Sequence, residues 1–109
     1  LNGENGFRLD GVGNYDSSGR AISGAGDVNG DGFDDLLIGA FAAGPNGPQT
    51  GASYLLFGNA GGFSAAMSLG DINGSNGLRF DGTAVGNAAG GAVAGGGDLD
   101  GDGYDDIVI

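Results

Sequence analysis

Residues 27–35 read DVNGDGFDD, and residues 98–106 read DLDGDGYDD. Each stretch places four or five carboxylates and two glycines within nine residues. Two carboxylates about 4 Å apart repel each other by roughly 4 kcal/mol at an effective dielectric constant near 20. A bound cation would turn these repelling groups into ligands of one positive charge. The two stretches are therefore candidate metal-binding loops.

The spacing of oxygen atoms in these loops favours calcium. Counted from the first aspartate, positions 1, 3, 5 and 9 carry side-chain oxygens, and position 7 offers a backbone carbonyl. Calcium takes about six to eight oxygen ligands, and a glycine at position 6 permits the sharp turn that such a loop needs. The predicted ligands are Asp27, Asn29, Asp31, Phe33 and Asp35 in the first loop, and Asp98, Asp100, Asp102, Tyr104 and Asp106 in the second.

Other interpretations of the loops fit less well. An EF-hand needs a glutamate at position 12 and flanking helices, but position 12 is Ile38 in one loop and Ile109 in the other. Zinc lacks its preferred His and Cys ligands, and magnesium prefers water and few protein ligands. An acidic turn that binds nothing is the remaining alternative. Asp34 and Asp105, at position 8, are expected to face away from the ion.

The two loops belong to an internal repeat. When the sequence is shifted by 71 positions, 18 of the 38 overlapping residues are identical, and no gap is needed. Residues 1–71 are therefore predicted to form one complete repeat unit, and residues 72–109 a partial second one. An internal repeat indicates a structure in which similar units stack against each other.

Composition excludes several classes of function. The chain of 109 residues has a net charge of −11, which disfavours nucleic acid and anionic membranes as partners and favours cations. The absence of Cys rules out disulfides and thiolate metal sites. No apolar run is long enough to insert into a membrane. Although 28 residues are glycine, 39% are hydrophobic and occur in short runs, so the chain is not expected to be disordered.

The local patterns predict an all-β protein. Dense glycine disfavours helices, and short apolar runs such as LLIGA and IVI are typical of strands buried on both faces. Four antiparallel strands per unit fit a β-propeller blade, so the chain holds fewer than two blades. The predicted strands are Gly6–Asp10, Ala21–Gly26, Asp35–Ala40, Ala52–Gly58, Leu78–Asp81, Ala92–Gly97 and Asp106–Ile109.

One segment resembles a known family. Residues 19–40, GRAISGAGDVNGDGFDDLLIGA, followed by GASYLLFG at 51–58, are similar to the FG-GAP repeat of integrin α-subunit propellers and bacterial surface proteins. The FG pair that opens the typical repeat is replaced by SSG at 17–19 and AAG at 88–90. The resemblance implies calcium in both loops, an extracellular or cell-surface setting, and recognition of proteins or glycans by other propeller loops.

Three functions are compatible with this sequence. The preferred one is a non-catalytic propeller segment of an extracellular binding or adhesion protein, in which calcium is structural. The second is a module that assembles with copies of itself, or with the rest of a longer propeller, by strand pairing. The third is an accessory propeller domain of a secreted enzyme. Catalysis within this chain is not expected, because its acids have metal-ligand spacing and it lacks His and Cys.

Two arginines occupy equivalent places in the repeat, Arg8 in GFRLDG and Arg79 in GLRFDG. The simpler expectation is that each is exposed on a strand beside an acidic residue. A sharper hypothesis is that each contacts an acidic loop of its own or a neighbouring blade.

Overall fold

The computed structural model describes residues 1–109, and almost all of its regular structure is β-strand. The strands are β1 (Arg8–Asp10), β2 (Ala21–Gly26), β3 (Asp35–Ala40), β4 (Ala52–Leu56), β5 (Ala66–Ser68), β6 (Gly77–Asp81), β7 (Ala94–Gly97) and β8 (Asp106–Val108). The predicted strands are therefore present, with ends that differ by at most two residues.

Four of these strands form the central sheet, in the order β2-β3-β4-β6, and every neighbouring pair is antiparallel. This is the predicted four-stranded unit with its strands in chain order, which is the arrangement of a propeller blade. Strands β7 and β8 form a separate antiparallel hairpin that repeats β2 and β3. The sheet takes β6 from beyond residue 71, so the structural sheet and the sequence repeat are offset from each other.

Side chains alternate across the central sheet because successive residues of a strand point to opposite faces. One face carries Ala25, Leu37 and Leu55, which are completely or almost completely buried. The other face carries a larger buried cluster, which consists of Ile38, Ala40, Ala43, Ala52, Tyr54, Leu56 and Leu69. The continuous run LLIGA is thus buried on both faces, as its composition predicts.

Different parts of the chain cover the two faces. The larger cluster packs against Phe7, Leu9 and Met67, which lie on and near β1 and β5. The opposite face packs against Ile107 of β8 and against Val93, which directly precedes β7. The β7–β8 hairpin of the second repeat unit therefore stacks on the central sheet, which is how neighbouring units of a repeat protein bury their apolar faces.

The pattern IVI at the end of the chain behaves differently from LLIGA. Ile107 is half-buried, but Val108 is 50% exposed. The expectation that this run is buried on both faces is wrong for this chain, because β8 pairs only with β7 and one face of the hairpin is open.

Two elements were not predicted from the sequence. Strand β5 pairs with β1 in parallel, and it runs directly into a short 3-10 turn at Leu69–Asp71. Three-residue elements are too short to leave a periodic pattern in a sequence. This turn is the helical part of the chain, and no helix is long and apolar enough to cross a membrane.

Candidate metal centre

A β-bulge leads the chain into the first acidic loop. The register of β2 against β3 shifts between Gly24 and Gly26, and Gly26 has a positive φ of 72°. Bulges bend a strand and redirect the side chains that follow. Here the bulge directs the side chain of Asp27 into the loop between β2 and β3.

Asp27 organises the loop by accepting backbone hydrogen bonds. One carboxylate oxygen accepts from the N–H groups of Gly30 at 2.8 Å and Asp31 at 3.0 Å, and the other accepts from Gly32 at 2.8 Å. Charged acceptors make stronger hydrogen bonds than neutral ones. The loop is therefore wound around the side chain at position 1.

Two glycines of the first loop have positive φ angles. Gly32, at position 6, has a φ of 88°, and Gly30, at position 4, has a φ of 77°. Side-chain-bearing residues are strained in this region. The sharp turn expected at position 6 is therefore present, and position 4 requires glycine for the same reason.

Asp35, at position 9, ties the loop to the sheet. It is only 4% exposed, and its two carboxylate oxygens accept from the N–H of Val28 at 2.8 Å and of Gly58 at 2.9 Å. Because Gly58 follows β4, this one side chain joins the loop to the ends of two strands. A buried carboxylate needs such partners to offset its desolvation.

The second loop repeats this geometry. Asp98 accepts from the N–H groups of Gly101, Asp102 and Gly103 at 2.8, 3.1 and 2.9 Å. Asp106 accepts from the N–H of Leu99 at 2.7 Å, as Asp35 does from Val28. Two sequences that differ at several positions thus fold into one loop conformation.

Three of the predicted ligands in the second loop come together. The side chains of Asp98, Asp100 and Asp106 each place a carboxylate oxygen within 4.8 Å of the others. Asp102 lies outside this group and accepts from the N–H of Tyr104 at 2.9 Å. The carbonyl of Tyr104 remains the predicted ligand at position 7.

In the first loop an amide replaces one carboxylate. Asn29 stands at the position of Asp100, and its side chain both accepts from the N–H of Asp31 and donates to the Asp31 carboxylate, each at 3.3 Å. Asp31 also accepts from the N–H of Phe33 at 2.9 Å. The first loop therefore carries less negative charge than the second but offers a similar set of oxygens.

The pKa values of two aspartates in the second loop shift in opposite directions, for different physical reasons. The hydrogen bond from the N–H of Gly103 contributes most to holding the pKa of Asp98 below its ordinary value. A hydrogen bond from the N–H of Asp102 acts to lower the pKa of Asp100, but desolvation and the charges of Asp102 and Asp106 outweigh it and raise that pKa. Asp100, at position 3, therefore has a negative charge that its neighbours destabilise and that a bound cation would stabilise.

The donor set fits a hard divalent cation. It consists only of carboxylate, amide and carbonyl oxygens, which are the ligands of calcium rather than of zinc. If calcium binds, Asp98, Asp100 and Asp106 would hold it in the second loop, and Asp27, Asn29 and Asp35 are their equivalents in the first. The cation would supply positive charge at the junction of two strands.

The position-8 aspartates have a role that the sequence did not predict in full. Asp105 accepts from the N–H of Asp27 at 2.9 Å, which joins the second loop to the first. Its side chain thus faces away from its own loop, as expected, but it contacts a loop 78 residues earlier in the chain. Only the repeat itself could have suggested this contact, because the two loops stand at the same position of stacked units. The equivalent Asp34 is exposed.

The arginines do not balance the charge of the loops. Arg8 pairs with Asp10 at 2.7 Å and Arg79 with Asp81 at 2.8 Å, each along its own strand. The simpler expectation for these residues is therefore confirmed, and neither arginine pairs with an acidic loop of this chain. Exposed pairs of this kind add little stability. The third arginine, Arg20, lies over the ring of Phe41 at 5.3 Å.

Comparisons with known proteins agree with this architecture. Residues 18–56 match the FG-GAP repeat, a segment that contains β2, the first loop, β3 and β4. The chain is also 34% identical over 95 residues to integrin alpha pat-2 of Caenorhabditis briggsae, a match that covers 84% of the chain. The chain spans only 7% of the length of that relative. On the strength of these two matches, residues 18–56 of this chain form an FG-GAP repeat.

Proposed function

We propose that the chain is a calcium-stabilised β-propeller segment of an adhesion-type protein, and that calcium is structural rather than catalytic. The observation that carries the proposal is the convergence of three carboxylate oxygens, from Asp98, Asp100 and Asp106, within 4.8 Å. The calcium would join the end of β7 to the start of β8, and an equivalent ion would join β2 to β3.

The size of the expected effect follows from the affinity of extracellular calcium sites. With a dissociation constant of about 10⁻⁴ M and calcium near 1 mM, each site adds roughly 1.4 kcal/mol to the free energy of unfolding. Two sites together add about 3 kcal/mol, which is a large fraction of the stability of a small domain.

Thermal unfolding with calcium and with a chelator tests the proposal. Saturating calcium is expected to raise the melting temperature by about 10 °C or more, and magnesium by much less. Asp98→Asn removes one charge from the second loop and is expected to abolish part of the calcium shift. Glu4→Gln is the matched control, because it also removes one negative charge but lies outside both loops.

The proposal fails if calcium leaves the melting temperature unchanged, or if Asp98→Asn and Glu4→Gln reduce the calcium shift equally. The second result would mean that calcium acts only as a counterion to the net charge of −11. Isothermal titration of the wild-type chain with calcium would then show no saturable heat.

The proposal also includes the location of the protein and its binding partners. Millimolar calcium is an extracellular condition, and the relative is an integrin alpha subunit, so we place this segment outside the cell or at its surface. Recognition of a protein or glycan ligand is assigned to other propeller loops. We infer no catalytic role, because Asp27, Asp35, Asp98 and Asp106 accept hydrogen bonds from loop backbone and the chain has no His or Cys.

A further inference from the structure

The motif Asn73-Gly74-Ser75 lies in the loop that connects the 3-10 turn at Leu69–Asp71 to β6. An asparagine followed two residues later by serine or threonine, with no proline between them, is the acceptor sequence for N-linked glycans on secreted proteins. No other asparagine of this chain has serine or threonine two residues after it. The sequence therefore contains one candidate glycan acceptor, which lies outside both acidic loops.

The motif is accessible to a large enzyme. Asn73, Gly74 and Ser75 are all exposed. Gly74 has a positive φ of 94°, and nothing lies within 4 Å of the position that a Cβ would occupy there. Asp71, two residues before the asparagine, is exposed as well and offers a carboxylate to basic groups of an enzyme. The loop therefore has the open surroundings that a bulky glycan requires.

Hydrogen bonds within the loop leave the acceptor nitrogen free. The amide oxygen of Asn73 accepts from the N–H and from the hydroxyl of Ser75, each at 3.0 Å. It also accepts from the N–H of Asn76 at 3.4 Å. The Nδ2 atom of Asn73, which would bond to the sugar, donates to no group of the chain. The loop thus holds the serine hydroxyl against the acceptor amide and leaves the amide nitrogen without a partner.

The first repeat unit contains the same loop without the serine. Asn2, the equivalent of Asn73, accepts from the N–H groups of Glu4 at 2.9 Å and Asn5 at 3.0 Å. Gly3 has a φ of 89°, close to the 94° of its equivalent in the second loop. Glu4 stands where Ser75 does, so the hydroxyl is missing. The chain therefore provides a comparison in which the loop conformation is kept and the acceptor motif is absent.

Packing against a neighbouring segment leaves this kind of loop accessible. A Cβ on Gly3 would lie 2.5 Å from the carbonyl oxygen of Phe63, so that segment lies directly against the first loop. Asn2 and Glu4 are nevertheless exposed. An equivalent neighbour beside the second loop would leave the acceptor motif exposed in the same way. The accessibility of the motif therefore does not depend on an uncovered end of the repeat.

We propose that Asn73 is an acceptor for an N-linked glycan. The donor is an oligosaccharide attached to a polyprenyl pyrophosphate, and an oligosaccharyl transferase catalyses the transfer. Nδ2 forms a bond to C1 of the first sugar while the bond from C1 to the pyrophosphate oxygen breaks. The lipid pyrophosphate leaves, and one proton of Nδ2 passes to a base of the transferase. The inference rests on the proposed location of the chain outside the cell, but not on calcium binding.

Intact mass spectrometry of the exported chain tests the proposal. The chain is fused to a cleavable export signal and expressed in cultured animal cells, whose secretory pathway contains an oligosaccharyl transferase. The wild-type chain is expected to gain the mass of one oligosaccharide, which an N-glycosidase removes. Peptide mapping is expected to place the glycan on Asn73 and to find Asn2 unmodified. Because the export signal is supplied, the result tests the acceptor itself rather than the natural location of the chain.

An exchange between the two loops is the matched variant. Ser75→Glu gives the second loop the sequence NGENG of the first, which adopts the same conformation without the hydroxyl. This variant is expected to be exported in a folded form and to carry no glycan. Ser75→Thr keeps the hydroxyl and is expected to keep the modification.

An exported wild-type chain without a glycan would overturn the proposal. A glycan that persists in Ser75→Glu, is lost in Ser75→Thr, or occupies Asn2 of the wild-type chain would overturn it as well. None of these results depends on the shift of the melting temperature by calcium. The glycan proposal and the calcium proposal can therefore fail separately.

Discussion

At the scale of single residues, equivalent positions of the repeat make different contributions to the structure. Asp35 and Asp106 both close an acidic loop from position 9, and both accept a backbone hydrogen bond from position 2. Only Asp35 is buried and also holds the N–H of Gly58. The first aspartate is therefore a structural acceptor in its own right, whatever cation the loop binds.

This difference predicts unequal costs for the same substitution. Asp35→Ala leaves two N–H donors without their acceptor and is expected to lower the free energy of unfolding by about 2–4 kcal/mol. Asp106→Ala loses one partly exposed hydrogen bond and is expected to cost about 1 kcal/mol. Denaturant unfolding in the presence of a chelator measures both costs without any contribution from calcium. Equal costs would show that burial of Asp35 has no energetic consequence.

At the scale of elements, the sequence predicted the strands of the central sheet and their order, but not the pairing of β5 with β1. LLIGA and SYLLF are apolar runs long enough to identify β3 and β4, and the repeat identified β7 and β8. The three residues of β5 carry no such pattern, so the pairing with β1 depends on long-range contacts. The oxygen spacing located both loops, but the contact from Asp105 to Asp27 arises from the stacking of two units, which no local pattern encodes.

The position of a strand in the sheet decides what its side chains contribute. Leu55 on β4 faces Leu78 on β6 in the ladder, yet Leu55 is fully buried while Leu78, on the edge strand, is 41% exposed. Leu55→Ala is expected to destabilise the chain by about 2–5 kcal/mol through the cavity it leaves. Leu78→Ala is expected to cost less than about 1 kcal/mol, and thermal or denaturant unfolding of both variants measures the difference. A similar loss in the two variants would argue that β6 is covered in solution.

At the scale of the whole molecule, the net charge of −11 acts against the folded state. Two of the three arginines are paired with aspartates outside the loops, so the acidic loops are left without cationic side chains. Their repulsion is therefore open to relief by ions from solution. Monovalent salt relieves it by screening, and calcium would relieve it by binding.

These two modes of relief predict a specific dependence on salt. In a chelator, raising sodium chloride from low to physiological concentration is expected to raise the melting temperature, because the screening length shortens from about 30 Å to about 8 Å. With saturating calcium the same increase is expected to have a smaller effect, because two bound divalent cations would cancel four of the eleven net negative charges. Melting curves over a salt series, with and without calcium, measure both slopes. Identical slopes would show that calcium does not neutralise the loops, since a cation bound between their carboxylates must reduce the charge that salt can screen.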